Sequence, residues 1–358
     1  MSLMDRMKKS STSGYAKVLS NSELMHKKDQ VRTSIPALNL ALSGEIDGGL
    51  TSGITLFAGP SKHFKTLLGW ITVRSFLNKY DDGVCVFLDT EFGTTPDYLK
   101  SQGIDPDRVL HIQCENVEQM KFELANQLEE VKREDRVIFF IDSVGNVASK
   151  KEVEDAQNQK SVADMSRAKQ LKSMFRIATP YCTTRDLPIV AINHTYETQE
   201  MFSKTVMSGG TGPMYSADTV IILGKQQEKD GKELVGYNFI MNIEKSRYVK
   251  EKSKIPLQVT YEKGVNVFSG LMDIALDLGW VHKPNNRSYQ VVLGYDEETG
   301  EMLLDEKKWY RKDTDCAMFW KPLITNPEFR EAVKGHFSLG QIDCEALEAE
   351  AAELFEEM

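Results

Sequence analysis

No run of apolar residues in this chain approaches the length of a membrane span, and the N-terminal stretch MSLMDRMKKSSTSG has no apolar core of secretory type. The expectation is an intracellular, cytoplasmic protein with no membrane partner. Cysteine is sparse. Cys85, Cys114, Cys182, Cys316 and Cys344 are scattered, with no C-x-x-C pair. That excludes a disulfide framework or a zinc-binding cysteine cluster, and no neighbouring base marks any of them as a nucleophile. Positive charge is also short, with 44 Lys and Arg against 53 Asp and Glu and a net charge of −9. A uniformly basic nucleic-acid binder is excluded, but a local basic path is not. The stretch from Glu345 to Met358 is rich in Glu and has no base. Basic residues gather at Lys150 and Lys151, at Arg167, Lys169 and Lys172, and along Lys245 to Lys254. Each cluster taken singly also fits an ordinary solvated surface.

What the chain does have is an alternation of apolar runs and amphipathic segments. Strands are expected at Ile54–Ala58, Val84–Asp89, Val137–Asp142, Leu187–Asn193, Thr219–Leu223 and Tyr237–Glu244. Helices are expected at Val117–Arg133 and Val162–Thr179. Continuous apolar runs such as VIFFI suit strands buried on both faces. The pattern predicts an α/β fold with a mostly parallel sheet, whose sites lie at the carboxyl ends of the strands. Residues 1–30 read as a short helical arm, 31–265 as the nucleotide-binding core, and 266–358 as a small α+β C-terminal domain with an acidic tail. In that last part Leu271–Leu278 reads as a helix, 280–310 as a β-hairpin region and 315–356 as helices.

The chemistry begins at residues 54–66, ITLFAGPSKHFKT. A strand ends in Gly59, Pro60, Ser61, Lys62, His63, Phe64, Lys65 and Thr66, and a helix-compatible segment follows. This is a Walker A pattern with one departure. Such a loop wraps backbone N–H groups around nucleotide phosphates, with a Lys on the β/γ-phosphates and a hydroxyl on Mg²⁺. The departure is Phe64, where Gly would let the backbone approach phosphate without a Cβ in the way. The second motif, VIFFIDS, ends in Asp142 and Ser143, a Walker B pattern that places a carboxylate in the Mg²⁺ shell. The third, VFLDTEFG, puts Glu91 just past a strand, where a carboxylate could activate the attacking water of ATP hydrolysis. The fourth, AINHTYETQ, ends a strand in His194. A polar group there could sense the γ-phosphate, and a lone His also fits a structural role. The fifth is the polar, glycine-rich segment Thr195–Asp218. Its Lys204 and its backbone around Gly209, Gly210 and Thr211 could grip phosphates, and Met201 and Phe202 could stack on bases. A shorter loop with Lys150 and Lys151 follows the Walker B strand.

In order and spacing, GPSKHFKT, LDTEFGTTPDYLKSQGID, FFIDSVGNVASKKEVED, INH and the glycine pair resemble RecA-type recombinases, in particular those of T-even-like bacteriophages. The resemblance covers roughly residues 30–265 and continues more loosely beyond. It implies a RecA-type P-loop ATPase that uses ATP and Mg²⁺, forms helical filaments on single-stranded DNA and promotes pairing and strand exchange with a duplex. By the same resemblance Lys65 and Thr66 are the phosphate-binding Lys and the Mg²⁺ hydroxyl. Glu91 and Asp142 are the catalytic and Walker B carboxylates. Tyr98 stacks on adenine, and His194 stands where the family has a Gln that senses the γ-phosphate. Residues 150–163 and 195–217 are the DNA loops, with Arg167 and Lys169 close behind the first. Lys245 and Arg247 match a pair of lysines reaching the neighbouring protomer's nucleotide, and the N-terminal arm docks on that neighbour. Loader and single-strand-binding proteins are implied partners. A hexameric helicase with the same core and a DNA-binding module that does not hydrolyse nucleotide are the alternatives.

Overall fold

The computed structural model describes residues 1–22, 29–158, 166–198, 204–296, 298–340 and 348. The chain divides into two compact units, one of residues 1–34 and 49–226, the other of residues 35–48 and 227–358.

Helix α1 (Leu3–Ser10) opens the first unit, started by a capping box in which Ser2 and Asp5 satisfy each other's backbone N–H. The chain then contributes α2 (Pro36–Ser43) to the second unit and returns as β1 (Gly53–Gly59), α3 (Lys65–Lys79), β2 (Val84–Asp89), α4 (Pro96–Ser101), β3 (Val109–Gln113), α5 (Val117–Glu130), β4 (Val137–Asp142), α6 (Lys150–Gln157), α7 (Ser166–Thr184), β5 (Pro188–Glu197), β6 (Thr205–Met207), α8 (Thr211–Ser216) and β7 (Thr219–Asp230). In this unit the strands run in the order β7-β1-β5-β4-β2-β3, all parallel, with β6 antiparallel on β5. Alternate residues of the central strands face opposite ways. Ile54, Leu56, Phe139, Ile141, Ile189 and Ala191 pack under α5 and α7 through Met120, Leu124, Leu171 and Phe175. On the other face Phe87 and Phe140 stack at 5.4 Å, and Trp70 of α3 packs edge-on to them at 4.9 and 4.6 Å. The sheet is therefore covered on both sides, as its apolar runs require.

The second unit continues with β8 (Glu233–Lys245), β9 (Lys254–Thr260) and β10 (Gly264–Val265), paired antiparallel. Then come α9 (Leu271–Asp277), a small antiparallel sheet of β11 (Val281–Asn285), β12 (Ser288–Tyr295), β13 (Met302–Leu304) and β14 (Trp309–Tyr310), and helices α10 (Ala317–Thr325) and α11 (Pro327–Phe337). Ion pairs Asp47–Arg330 at 2.6 Å and Glu45–Lys334 at 2.9 Å tie the loop after α2 to α11.

Several expectations change in detail. Lys150 and Lys151 are not in a loop: they begin α6, because Ser149 caps it by accepting from the Glu152 N–H. The strand expected to stop at Asn193 runs on to Glu197, because β6 pairs with Thr195–Glu197. The long segment before Asp218 thus carries β6 and α8. Residues 159–165 and 199–203, with Met201 and Phe202, lie outside the described residues, as does the tail apart from Glu348. Strand β3 escapes a periodicity reading because it is short and half-exposed, and β9 because it contains Pro256.

Gly69, on α3 beneath Trp70, makes the packing testable. A Cβ there would lie 2.3 and 2.6 Å from ring atoms of Phe140, which is fully buried. Replacing a helical Gly with Ala ordinarily stabilises by about 1 kcal/mol, but overpacking a close-packed core costs ~1–3 kcal/mol. The clash wins, so Gly69→Ala is expected to lower the unfolding free energy by roughly 1–2 kcal/mol in urea titrations.

Candidate nucleotide site

The site is assembled by register. In-register parallel pairing sets Asp89 opposite Asp142 and Gly59 opposite His194. The carboxyl ends of β1, β2, β4 and β5 therefore converge, and the residues just beyond them meet.

The loop between β1 and α3 turns through two left-handed residues, Lys62 (φ 60°) and Phe64 (φ 66°). Left-handed residues set among right-handed ones aim successive N–H groups into one concave nest, which suits an anion at the start of α3. The geometry also gives a second reason why Gly is favoured at position 64: the backbone there is left-handed, a conformation that costs an L-residue about 1–2 kcal/mol. The loop makes the turn with Phe in place.

Lys65 is buried, and its Nζ donates to the Pro60 carbonyl at 2.7 Å. Burial lowers its pKa, while Asp142 and Glu91 pull the other way. The Thr66 hydroxyl donates to Asp142 Oδ2 at 2.8 Å. Asp142 is itself buried, and burial pushes its pKa up to about 6, with Glu91 and Asp89 adding to the rise. A half-buried hydroxyl and a buried carboxylate side by side are hard oxygen donors. They fit Mg²⁺, which takes one or two protein oxygens and completes its shell with water and phosphate.

Glu91 is positioned from three sides. Its own N–H and that of Phe92 donate to Asp89 Oδ1 at 2.9 and 2.8 Å. Asp89 Oδ2 lies 2.9 Å from His111 Nε2, whose ring stacks on Phe87. The Glu91 carboxylate accepts from Ser143 Oγ at 2.8 Å, and His194 Nε2 lies 3.2 Å from the same oxygen. Thr90 locks the tip, its hydroxyl donating to the Ser143 carbonyl and accepting from the Ser143 N–H, both at 2.8 Å. Asp89, Thr90 and His111 were not anticipated. The signal for Asp89 was present in LDTE, since an Asp two residues before a loop residue commonly accepts its N–H. His111 sits on β3, a strand that periodicity did not reveal.

The remaining candidates fall elsewhere. Tyr98 is on α4, capped by Thr95, and its phenol is raised in pKa by burial and then by Asp142. Lys245 ends β8, and Arg247 follows it, both in the second unit. Lys204 is exposed beside β6, and its N–H donates to Thr198 Oγ1 at 3.0 Å. Gly209 (φ 86°) and Gly210 (φ 74°) lead into α8, which Thr211 begins. Lys169 lies on α7, as does Arg167, whose guanidinium is turned onto protein oxygens.

The RecA N-terminal domain family matches residues 2–266. The chain belongs to the RecA family. Residues 268–333 match a second family, described as the C-terminal domain of the bacteriophage T4 recombination and repair protein. The chain is 55% identical over 353 residues to the recombination and repair protein of Enterobacteria phage T4, covering 98% of this chain and 90% of that one. It is 25% identical over 308 residues to the RecA protein of Cutibacterium acnes, covering 84% of each. To the RecA protein of Acinetobacter baumannii strain ATCC 17978 it is 26% identical over 260 residues, 71% of each chain.

Two expectations follow. With its folded pKa pushed up to about 6 from the ordinary carboxylate value of 3.8, Asp142 costs the metal-free protein stability once pH rises through that interval. Asp142→Asn is expected to raise the unfolding free energy at pH 7.5 by about 1–3 kcal/mol, with the advantage vanishing below about pH 4. Differential scanning calorimetry without nucleotide, across pH, checks the sign. Phe64→Gly relieves the left-handed strain at some entropic cost, so it is expected to stabilise by up to ~1 kcal/mol. A loss in the same scan would mean that the Phe64 ring is a packing element.

Proposed function

We propose that this RecA-family recombination and repair protein is a DNA-dependent ATPase, acting as a helical filament on single-stranded DNA in the cytoplasm of a phage-infected cell. The observation that supports it most is the placement of Glu91. One carboxylate oxygen is held by Ser143 and His194 at the strand edge that also carries Lys65, Thr66 and Asp142. A carboxylate so held can orient water against a phosphate lodged in the nest before α3, and take its proton.

In this reading Lys65 leaves the Pro60 carbonyl for the β/γ-phosphate oxygens, and the loop from Ser61 to Phe64 presents N–H groups to them. Thr66 and Asp142 hold Mg²⁺, which when bound neutralises phosphate charge. Tyr98 stacks on the adenine. His194 bridges Glu91 to the rest of β5, so a γ-phosphate competing for its ring would be felt along that strand. Lys150, Lys151, Lys169, Lys204 and the Gly209–Thr211 backbone supply a path for DNA phosphates, while Met201 and Phe202 supply stacking. Such contacts are indifferent to sequence, leaving base complementarity to choose the duplex partner in strand exchange.

Filament formation has its own support. Helix α1 buries none of its residues, and Leu3, Met4 and Met7 are 64%, 56% and 60% exposed. An apolar stripe left open on an arm suits docking on a second copy, and a head-to-tail contact of that kind propagates as a fibre. Lys245 and Arg247 would then reach the neighbour's nucleotide. Loader and single-strand-binding proteins would act on the same filament.

The deciding experiment is ATP hydrolysis with and without single-stranded DNA, in wild type and Glu91→Ala. Strong stimulation by DNA is expected, with Glu91→Ala slower by about 10²- to 10⁴-fold. Hydrolysis indifferent to DNA would leave a general P-loop ATPase, and no hydrolysis in wild type would overturn the enzyme reading.

A further inference from the structure

Arg167 stands at the entry to α7, in the region where a basic side chain suggests a phosphate contact. Its guanidinium is turned the other way. Nε donates to the Val147 carbonyl at 2.7 Å. Nη2 reaches the carbonyls of Gly145 at 2.5 Å and Val144 at 3.2 Å, and the Ser208 hydroxyl at 3.1 Å. All four acceptors are neutral protein oxygens, drawn from two segments far apart in sequence, with Gly145 and Ser208 63 residues apart. The first, Val144 to Val147, leads from the Walker B strand into α6, where the first candidate DNA segment begins, and so forms its root. The second, at Ser208, begins the glycine-rich stretch before α8.

The two segments are also bonded to each other and to the His194 strand. Ser208 Oγ donates to the Gly145 carbonyl at 3.0 Å, and the Ser208 N–H donates to the His194 carbonyl at 2.8 Å. Asn193 Nδ2 donates to the Ser208 carbonyl at 3.1 Å, and the Val144 N–H to the Ile192 carbonyl at 2.9 Å. Gly145 permits this closeness. A Cβ there would lie 2.6 Å from His194 N and 2.7 Å from its Cδ2. The bonds therefore run without a break from Glu91 through Ser143 and His194 to both candidate DNA segments, and Arg167 closes the ring.

We propose that Arg167 is a positioning residue that clamps the two candidate DNA segments to each other and to the His194 strand, so that they respond together to the nucleotide, and that it is not itself a contact to DNA phosphate. The inference rests on the DNA-dependent ATPase reading above. Turning the guanidinium outward to a phosphate would take this donor from the carbonyls of Val144 and Val147, both buried residues, and would leave the Gly145 carbonyl with Ser208 Oγ alone, an unfavourable exchange. A Lys at 167 keeps the charge but not the planar fork that spans Val147 and Gly145 together.

The test compares Arg167→Lys and Arg167→Ala with wild type on two readouts. One is the ratio of hydrolysis rates with and without single-stranded oligothymidine. The other is the slope of log binding constant against log salt for the same oligonucleotide. As a clamp, Arg167 gives matching defects in both variants. The stimulation ratio falls by about tenfold, within the usual span of coupling between sites, and the salt slope stays at the wild-type value. A phosphate contact predicts the reverse, with Arg167→Lys close to wild type and the slope of Arg167→Ala flattened by about 0.7. That result, or two variants that both stimulate normally, overturns the proposal. Should either variant fail to fold by thermal unfolding, Ser208→Ala removes the hydroxyl between Arg167 and Gly145 without touching charge. It is expected to reduce stimulation at an unchanged slope, and full stimulation overturns the proposal. A wild-type protein unstimulated by DNA would instead sink the ATPase reading, which is a separate outcome.

Discussion

The constraint on which the first unit depends is the in-register parallel pairing of β4 with β2 and of β5 with β1. Parallel strands all end on the same edge, so register alone decides which terminal residues become neighbours. Here it sets Asp142 beside Asp89 and His194 beside Gly59. A slip of one residue in either pair would turn the terminal side chain to the opposite face. The slip is resisted from both sides, because each central strand buries alternate residues under α3 and under α5 and α7. The core is thus the device that holds the site's geometry, and the aromatic packing of Trp70, Phe87 and Phe140 is part of the chemistry at one remove.

That geometry crowds charge of one sign. Asp89, Glu91 and Asp142 converge around one buried ammonium, Lys65. Desolvation and mutual repulsion both act against Asp142, which is why its proton is retained to an unusually high pH. In the reading proposed above, that excess of carboxylate over ammonium is what a Mg²⁺ ion would offset. Natural sites of this kind give up folding stability for function. Asp89, in the same cluster, has both of its oxygens engaged, one by the N–H groups of Glu91 and Phe92 and the other by His111.

Much of this was legible in the residue pattern, and the boundary of legibility has a physical cause. The Walker A strand, Val84–Asp89, Val137–Asp142 and their motifs are local signals: an apolar run, a turn and a polar residue at a strand end. They place Lys65, Thr66, Glu91 and Asp142 on one edge without any coordinates. What escaped was set by partners distant in sequence. His111 matters only because β3 lies beside β2, and β3 is too exposed to announce itself by hydrophobicity. The extension of β5 past His194 depends on β6, ten residues onward. Lys150 and Lys151 are helical because of a cap, Ser149, a single-residue signal that the basic pair following it masks.

Arg167 shows the same limit in a sharper form. Composition assigns a basic residue to a basic path, but a charge contributes to DNA affinity only if its donors are available to phosphate. The guanidinium is the one cationic group that can be spent on several neutral oxygens at once, because its N–H groups lie in a plane and point apart. A lysine at the same place would have to leave most of those carbonyls unpaired. The choice of Arg over Lys at a loop junction is therefore itself evidence about role. Where a fork can close on two chain segments, its rigidity is worth more to the fold than its charge would be to a phosphate, and in the proposed reading the basic residues left for DNA are exposed ones such as Lys204.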